Sequence, residues 1–118
     1  MIPVLVVIPT YNESESIRSL LTRLDMARKS ISQKFDIDIL LVDDDSPDKT
    51  ADIAKSMNLS GFSILNRKVK SGLGPAYLAG FKQGLIGNYQ YFVEMDADLS
   101  HQPEQLVDLL DAAAQDTL

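Results

Sequence analysis

Two aspartates at the end of an apolar segment are the residues of this chain best suited to chemistry. The mostly apolar segment 91–95 is followed by Asp96, Ala97 and Asp98. If this segment is a β-strand, residues two positions apart point to the same side, so we expect the carboxylates of Asp96 and Asp98 to converge. A Mg²⁺ or Mn²⁺ site commonly combines one or two carboxylates with substrate phosphates and water. The pair therefore predicts a metal-assisted site for a diphosphate-containing substrate, with both aspartates as metal ligands and catalytic residues.

The same pair also has an ordinary structural interpretation. Aspartate is common at strand exits and helix caps, so an isolated Asp-x-Asp is a weak signal. Acidic and basic clusters at the other strand ends favour the functional interpretation of Asp96 and Asp98. His101, the single histidine, is either incidental or close to the metal site.

The elements that must position these residues alternate between strands and helices. Apolar, partly β-branched runs predict strands at 4–8, 38–42, 62–65 and 91–96. Helical spacing of apolar residues predicts four helices, over 17–31, from Ser46 and Pro47 to about residue 57, from 72–75 to about 85, and from Pro103 onward. Asn12 or Ser14 is the expected cap of the first helix.

This βαβαβαβα order indicates an α/β fold, with a mainly parallel sheet, right-handed crossovers and helices on both faces. Ligands of such sheets bind beyond the carboxyl ends of the strands. The chemically unusual residues follow the four predicted strands, at 9–13, 43–45, 67–74 and 96–98. We therefore expect them to meet at one edge of the sheet.

Three consecutive aspartates, Asp43, Asp44 and Asp45, repel one another and need stabilisation from other groups. We expect Asp45 to cap the next helix, where the helix dipole offsets about 0.3–1 kcal/mol of the cost. Asp44 is the better candidate for a ligand contact, to a hydroxyl or a ring N–H group of a nucleoside. Asp43 is expected to be mostly structural.

A basic loop and two glycines precede the third helix. Arg67, Lys68 and Lys70 lead into Gly72-Leu73-Gly74-Pro75, which matches neither a complete dinucleotide fingerprint nor a Walker A sequence. Two interpretations stay open. The segment is either a solvated turn before a helix with Pro75 at its first position, or a surface whose basic side chains and helix N-terminus face phosphates.

The composition limits the classes of protein to consider. A chain of 118 residues with 45% hydrophobic residues suffices for one domain with one core. Its net charge of −6 argues against broad electrostatic binding of nucleic acid. The absence of cysteine excludes a disulfide framework and fits a reducing compartment. No apolar run approaches the roughly 20 residues that span a bilayer, and residues 2–8 are too short for a signal peptide.

Four motifs, in this order along nearly the whole chain, resemble a known family. They are Val7-Ile8-Pro9-Thr10-Tyr11-Asn12-Glu13, Val42-Asp43-Asp44-Asp45-Ser46-Pro47-Asp48-Lys49-Thr50, Gly72-Leu73-Gly74-Pro75-Ala76-Tyr77-Leu78-Ala79-Gly80-Phe81 and Met95-Asp96-Ala97-Asp98-Leu99-Ser100-His101-Gln102-Pro103. They look like the inverting family-2 glycosyltransferases of the Rossmann-like GT-A fold, and most like the dolichol-phosphate (polyprenol-phosphate) mannosyltransferases. Asp45 departs from this family, which usually has glycine there, so a positive φ at Asp45 would carry some strain.

The resemblance implies roles for individual residues. With Lys70 taken from the basic loop, there are nine candidate substrate contacts. They are Pro9, Tyr11, Glu13, Val42, Asp44, Lys70, Asp96, Ala97 and Asp98. Val42 and Asp44 would hold the base or ribose. Asp96, Ala97 and Asp98 would lie against the ribose and diphosphate, with Asp98 as the principal ligand of Mg²⁺ or Mn²⁺.

The resemblance also implies the substrates, GDP-mannose as donor and a polyprenyl (dolichyl) monophosphate as acceptor. A divalent cation would act as a Lewis acid on the departing diphosphate. The acceptor phosphate is already anionic, so its oxygen can attack the anomeric carbon from the opposite face without a strong base, and the configuration inverts. A hydroxyl acceptor would instead need a carboxylate to take its proton.

Three other functions stay open. The chain would fit a family-2 glycosyltransferase acting on a hydroxyl acceptor in polysaccharide or glycan synthesis, or a non-catalytic nucleotide-sugar-binding or assembly module. The third is a sugar-1-phosphate nucleotidyltransferase, which would carry a glycine-rich basic loop after the first strand; this chain has Pro-Thr-Tyr-Asn-Glu there, which argues against that function.

Members of the resembled family normally continue well beyond the fourth helix. We therefore expect residues 1–118 to be the N-terminal nucleotide-sugar-binding part of a truncated GT-A domain, which alone binds nucleotide weakly and transfers little sugar. An uncovered sheet edge would favour self-association. We expect a cytoplasmic protein, peripheral at the membrane surface where it meets its lipid substrate.

Overall fold

Four parallel strands form the sheet in the computed structural model, which describes residues 1–68 and 72–115. The strands are β1 (Ile2–Thr10), β2 (Phe35–Asp43), β3 (Phe62–Asn66) and β4 (Tyr91–Glu94). Their spatial order is β3-β2-β1-β4, and all neighbours are parallel. The longest apolar runs belong to β1 and β2, the two central strands, because these are buried on both faces.

Helices cover both faces of the sheet, which confirms the predicted α/β fold and the βαβαβαβα order. The helices are α1 (Ile17–Ser30), α2 (Thr50–Ser56), α3 (Leu73–Gly84) and α4 (Gln105–Gln115). Alternate residues of β1 divide the core between the two faces. Val4, Val6 and Ile8 pack with α1, α2 and α4, whereas Leu5 and Val7 pack with α3.

The strand order reverses beside β1. The chain builds β1, β2 and β3 towards one side and then crosses over to place β4 on the other side of β1. The β1–β4 ladder ends with Val7 opposite Glu94, while β1 continues to Thr10 in register with Asp43 of β2. A crevice therefore forms at the carboxyl ends of β1 and β4, the position where open α/β sheets bind ligands.

The second helix begins later than predicted, and Asp45 does not cap it. Ser46 stays in the turn because its N–H and hydroxyl both donate to the Asp43 carboxylate, at 3.0 Å and 2.6 Å. The helix begins at Thr50, whose N–H donates to Asp48 Oδ1 at 3.1 Å. Asp45 is exposed and has a φ of 58°, the positive value that favours the glycine usual in the resembled family.

Two other helix starts also differ from the prediction. Neither Asn12 nor Ser14 caps α1, whose N-cap residue is Ser16. Helix α3 begins at Leu73 after Gly72, which has a φ of 93°. Pro75 therefore lies within the first turn of α3 and not at its first position. It is tolerated there because the first N–H groups of a helix have no intrahelical partner.

Candidate active site

A cavity of about 280 Å³ opens at the carboxyl ends of β1 and β4, where the strand order reverses. Its walls come from the segments after β1, β2 and β4 and from the first turn of α3. The lining residues are Pro9, Thr10, Tyr11, Glu13, Asp44, Gly72, Leu73, Ala76, Asp96, Ala97 and Asp98. Its volume is close to the lower end of the roughly 300–1,000 Å³ typical of small-molecule pockets.

All but two of the predicted substrate contacts line this cavity. Val42 is completely buried in the core on the α3 side, among residues that include Val7 and Ala76. It therefore supports the cavity wall from behind, and a contact between Val42 and the base or ribose stays a prediction. Lys70 lies outside the described residues.

The first turn of α3 contributes lining residues that the sequence prediction did not single out. Leu73 is 57% exposed, whereas Ala76 is 2% exposed and packs onto the sheet. Their helical spacing directly after Gly72 could have indicated that they face the cavity. The sequence prediction assigned phosphate contacts in this segment only to basic side chains and backbone N–H groups. This wall is apolar, and Gly72 completes it.

The ends of β1 and β2 are joined by a buried hydrogen bond. Thr10 Oγ1 donates to Asp43 Oδ1 at 2.7 Å, and both residues are at least 97% buried. Asp43 also accepts the two hydrogen bonds from Ser46. Asp43 is thus structural, as predicted, and it holds the turn that carries Asp44.

Asp44 presents a buried carboxylate at the cavity. The residue is 5% exposed, and Arg67 Nη1 lies 3.5 Å from its Oδ1. Within residues 1–68 and 72–115, Oδ1 accepts no hydrogen bond. This oxygen is inaccessible to solvent and lies beside the Arg67 guanidinium, while Asp44 as a residue lines the cavity.

Asp96 lies beyond the end of β4. The prediction that strand alternation sets the direction of its side chain is therefore wrong. The last strand residue is Glu94, and the ladder closes where the Met95 N–H donates to the Val7 carbonyl at 3.1 Å. Asp96 and Asp98 nevertheless line the same cavity. Their shared position at the cavity depends on the turn after β4 and not on the pleat of the strand, and convergence of the two carboxylates stays a prediction.

Neighbouring side chains contact both carboxylate oxygens of Asp96. The Tyr77 hydroxyl donates to Oδ1 at 2.9 Å, and His101 Nε2 lies 3.9 Å from Oδ2. The Asp96 backbone N–H also donates to His101 Nδ1 at 3.2 Å. Burial, followed by the hydrogen bond to Asp96, raises the pKa of Tyr77 well above its usual value, so its hydroxyl stays a donor.

Asp98 is the more accessible of the two aspartates. Its side chain is exposed, and its Oδ1 accepts a hydrogen bond from the Ser100 N–H at 2.9 Å. Hydrogen bonds from Ser100 hold the pKa of Asp98 below its usual value. The carboxylate is therefore ionised at neutral pH and open to a cation.

Glu13 is close to the other acidic groups. Partial burial is the main cause that raises the pKa of Glu13, and the charges of Asp98, Asp48 and Asp96 raise it further. A hydrogen bond from Ser16 opposes this shift. Because Glu13, Asp96 and Asp98 all line the cavity, a cation or a hydrogen-bond donor would be favoured at this end of it.

The segment after β1 is anchored to the start of α2. The Glu13 N–H donates to Thr50 Oγ1 at 3.0 Å, and the Ser14 N–H donates to Asp48 Oδ2 at 3.0 Å. On the other side, Ser16 Oγ donates to the Ala97 carbonyl at 2.8 Å. The loops that follow β1, β2 and β4 are therefore held together around the cavity.

The described residues fit a metal ion only in part. Within 1–68 and 72–115, no group of three or more histidine, cysteine, aspartate or glutamate side chains is arranged to hold a metal. Asp96 and Asp98 both line one cavity and would offer it two carboxylates. Such a donor set suits Mg²⁺ or Mn²⁺ bound by one or two carboxylates, with substrate phosphates and water completing the coordination.

Comparison with protein families supplies the classification. The model described as "Glycosyl transferase family 2" matches residues 5–118, nearly the whole chain. The chain belongs to glycosyl transferase family 2. The resemblance seen in the four motifs is therefore confirmed at the level of the family.

Curated relatives are similar over most of this chain. It is 50% identical over 111 residues to an undecaprenyl-phosphate mannosyltransferase of Micrococcus luteus, an alignment covering 92% of this chain and 43% of the relative. It is 46% identical over 111 residues to a polyprenol monophosphomannose synthase of Mycolicibacterium smegmatis. That alignment covers 92% of this chain and 40% of the relative. The chain thus spans about two-fifths of the length of these relatives.

A solved structure confirms the GT-A type of architecture. A mannosyltransferase from Pyrobaculum calidifontis, solved in complex with GDP-Man and Mn²⁺, superposes with a TM-score of 0.77 at 21% identity. The match covers 98% of this chain and 33% of that protein. For this family-2 chain it establishes the fold.

The described part of this family-2 chain contains no helix that is both long enough and apolar enough to cross a membrane.

Proposed function

We propose that this chain is the nucleotide-sugar-binding part of an inverting glycosyltransferase that moves mannose from GDP-mannose to a polyprenyl monophosphate. The observation that carries the proposal is the switch-point cavity, where Asp44 lies on one wall and Asp96 and Asp98 lie on another. The choice of mannose and of a lipid phosphate is supported by relatives named for mannosyl transfer to undecaprenyl phosphate or for polyprenol monophosphomannose synthesis.

The two walls suit the two ends of a nucleotide sugar. The buried Asp44 carboxylate would accept hydrogen bonds from the base or ribose, while Leu73 and Ala76 supply apolar surface beside it. Asp96 and Asp98 would hold a Mg²⁺ or Mn²⁺ ion against the diphosphate. When bound, the cation supplies Lewis-acid stabilisation of the charge on the leaving group.

The reaction needs little proton transfer from this chain. An oxygen of the acceptor phosphate forms a bond to the anomeric carbon from the face opposite GDP. The bond to the diphosphate oxygen breaks, and its electron pair leaves with GDP, so the configuration inverts. Because the acceptor is already an anion, no general base is required. The lipid acceptor would bring the protein to the cytoplasmic face of a membrane.

Calorimetry of the 118-residue chain at high protein concentration tests this proposal, with GDP and UDP, each with and without Mn²⁺. We expect GDP to bind more tightly than UDP and only when Mn²⁺ is present. Asp98→Asn should weaken the Mn²⁺-dependent affinity at least tenfold, because even the loss of a group that only orients a metal ligand costs about 10–100-fold. Asp108→Asn, an exposed change on α4, is the matched control and should leave binding unchanged.

The outcomes separate the proposal from its alternatives. Binding of no nucleotide under any metal condition would overturn it in favour of a non-catalytic assembly module. Equal affinity for GDP and UDP would overturn the assignment of a guanine nucleotide. Sugar transfer to a hydroxyl acceptor, but not to a polyprenyl phosphate, would overturn the assignment of the acceptor.

A further inference from the structure

Tyr77 does not line the cavity, yet its hydroxyl donates to Asp96 Oδ1 at 2.9 Å. We propose that Tyr77 is a positioning residue for the candidate active site, which holds the Asp96 carboxylate in the orientation that a metal-bound diphosphate requires. The inference rests on the proposed function, because it assigns a partner to a residue proposed to hold the metal.

The ring of Tyr77 is held in place by a row of aromatic side chains. Its centroid lies 6.1 Å from that of Phe81, and the two rings are stacked at 25°. Phe81 in turn contacts Phe92 of β4 edge to face at 5.8 Å. Because this row joins α3 to β4, the position of the Tyr77 hydroxyl follows from the packing of a helix on the sheet and not from a mobile loop.

Close packing of α3 brings this hydroxyl within reach of Asp96. Gly84 lies against Leu5 and Phe92, and a Cβ atom added there would come within 2.6 Å of both side chains. Such an approach is possible only without a side chain. Glycine at position 84 therefore allows the short separation between α3 and the sheet. The Tyr77–Asp96 hydrogen bond depends on this separation.

The hydrogen bond has a specific consequence for Asp96. The carboxylate follows the end of the β4 ladder, so backbone pairing no longer sets its direction. The Tyr77 hydroxyl occupies one lone pair of Oδ1 and so fixes the carboxylate, while its other lone pairs stay available to a cation. Side chains that orient a metal-binding group in this way commonly contribute about 10–100-fold to metal affinity.

The chain contains a matched structural control. The Tyr89 hydroxyl donates to Asp38 Oδ2 at 2.6 Å on the same face of the sheet, and its ring contacts Phe92 edge to face at 6.0 Å. Asp38 lies opposite Leu5 of β1, away from the strand ends that form the cavity. Loss of this hydroxyl removes an equivalent tyrosine–aspartate hydrogen bond without touching the site.

The test compares Tyr77→Phe with Tyr89→Phe. Calorimetry measures GDP affinity with and without Mn²⁺, and circular dichroism follows thermal unfolding without ligand. We expect Tyr77→Phe to weaken the Mn²⁺-dependent affinity about tenfold, Tyr89→Phe to change it less than twofold, and both to unfold at similarly lowered temperatures. In an Asp96→Ala background, which leaves no side-chain oxygen to accept from Tyr77, Tyr77→Phe should have no further effect on affinity, because the residue acts through Asp96.

Unchanged affinity in a folded Tyr77→Phe variant would overturn the inference while leaving the proposed function standing. An equal loss of affinity in Tyr89→Phe, or a full tenfold effect of Tyr77→Phe in the Asp96→Ala background, would show a merely structural role and also overturn it. A wild-type chain that binds no nucleotide would overturn the proposed function, and the positioning role with it.

Discussion

Gly80 of α3 packs against Val7 of β1 so closely that a Cβ atom on Gly80 would overlap Val7 Cγ1. It would also lie 3.1 Å from Val42 Cγ2. The helix therefore lies directly on the two central strands, and its N-terminal turn is brought to the cavity. A local sequence pattern does not show this contact, because it depends on side chains far apart in the chain.

Gly80→Ala is expected to destabilise the protein. The added methyl group must displace Val7 or the helix, and such overpacking typically costs about 1–3 kcal/mol. Gly74→Ala is the matched control in the same helix, since no atom lies within 4 Å of a Cβ placed there. It should be neutral or stabilising by up to about 1 kcal/mol. Urea unfolding measures both changes, and equal stability of the two variants would contradict the packing argument.

Thr10→Val is expected to loosen the joined ends of β1 and β2. The change keeps the shape of the side chain but removes the hydroxyl that donates to the buried Asp43 carboxylate at 2.7 Å. Loss of a hydrogen bond to a buried charged group costs about 1.5–3 kcal/mol. The exposed Thr22→Val on α1 is the control and should cost less than about 0.5 kcal/mol. Denaturant unfolding that shows no difference between the two would exclude an energetic role for this bond.

Asp44→Asn tests the nucleoside end of the cavity. The substitution keeps the size of the side chain but removes the charge of a residue that is 5% exposed and lines the cavity. GDP affinity measured by calorimetry should fall about 10- to 100-fold, the order expected for hydrogen bonds to a charged group. The neighbouring Asp45→Asn should change affinity less than twofold, because Asp45 is exposed and asparagine also tolerates its φ of 58°. Similar affinities for both variants would remove Asp44 from the binding site.

Glu13→Gln is expected to alter the pH dependence of stability. Partial burial and the nearby charges of Asp98, Asp48 and Asp96 raise the pKa of Glu13 above its usual 4.5. The folded state therefore binds this proton more tightly than the unfolded state, and that stabilisation is lost as the pH rises from 4.5 through the raised value. In metal-free buffer, Glu13→Gln should gain stability relative to the wild type between about pH 4 and pH 7.

Glu15→Gln provides the control for this measurement, because Glu15 is exposed on the same loop. Its stability relative to the wild type should stay constant over the same pH range. The explanation would be refuted if the difference between Glu13→Gln and the wild type were constant with pH or had the opposite slope.

The order of strands and helices and the parallel α/β fold could be predicted from the chain alone, and the four motifs supplied the resemblance to the family. The element order and the fold follow from local patterns, namely continuous apolar runs for buried strands, helical spacing for amphipathic helices, and polar residues directly after strands. Because the carboxyl ends of parallel strands share one edge, Asp44, Asp96 and Asp98 could be expected together before their geometry was known.

How those residues are held depends on contacts between distant parts of the chain, which the sequence does not show. Ser46 was a reasonable helix cap by local pattern, but its hydroxyl donates to Asp43 and accepts from the N–H of Asn12, 34 positions away. The burial of Val42 and the hydrogen bond from Tyr77 to Asp96 likewise depend on α3 packing across the sheet. Such contacts join residues distant in sequence, so their energies override local preference and leave no periodic signal in the chain.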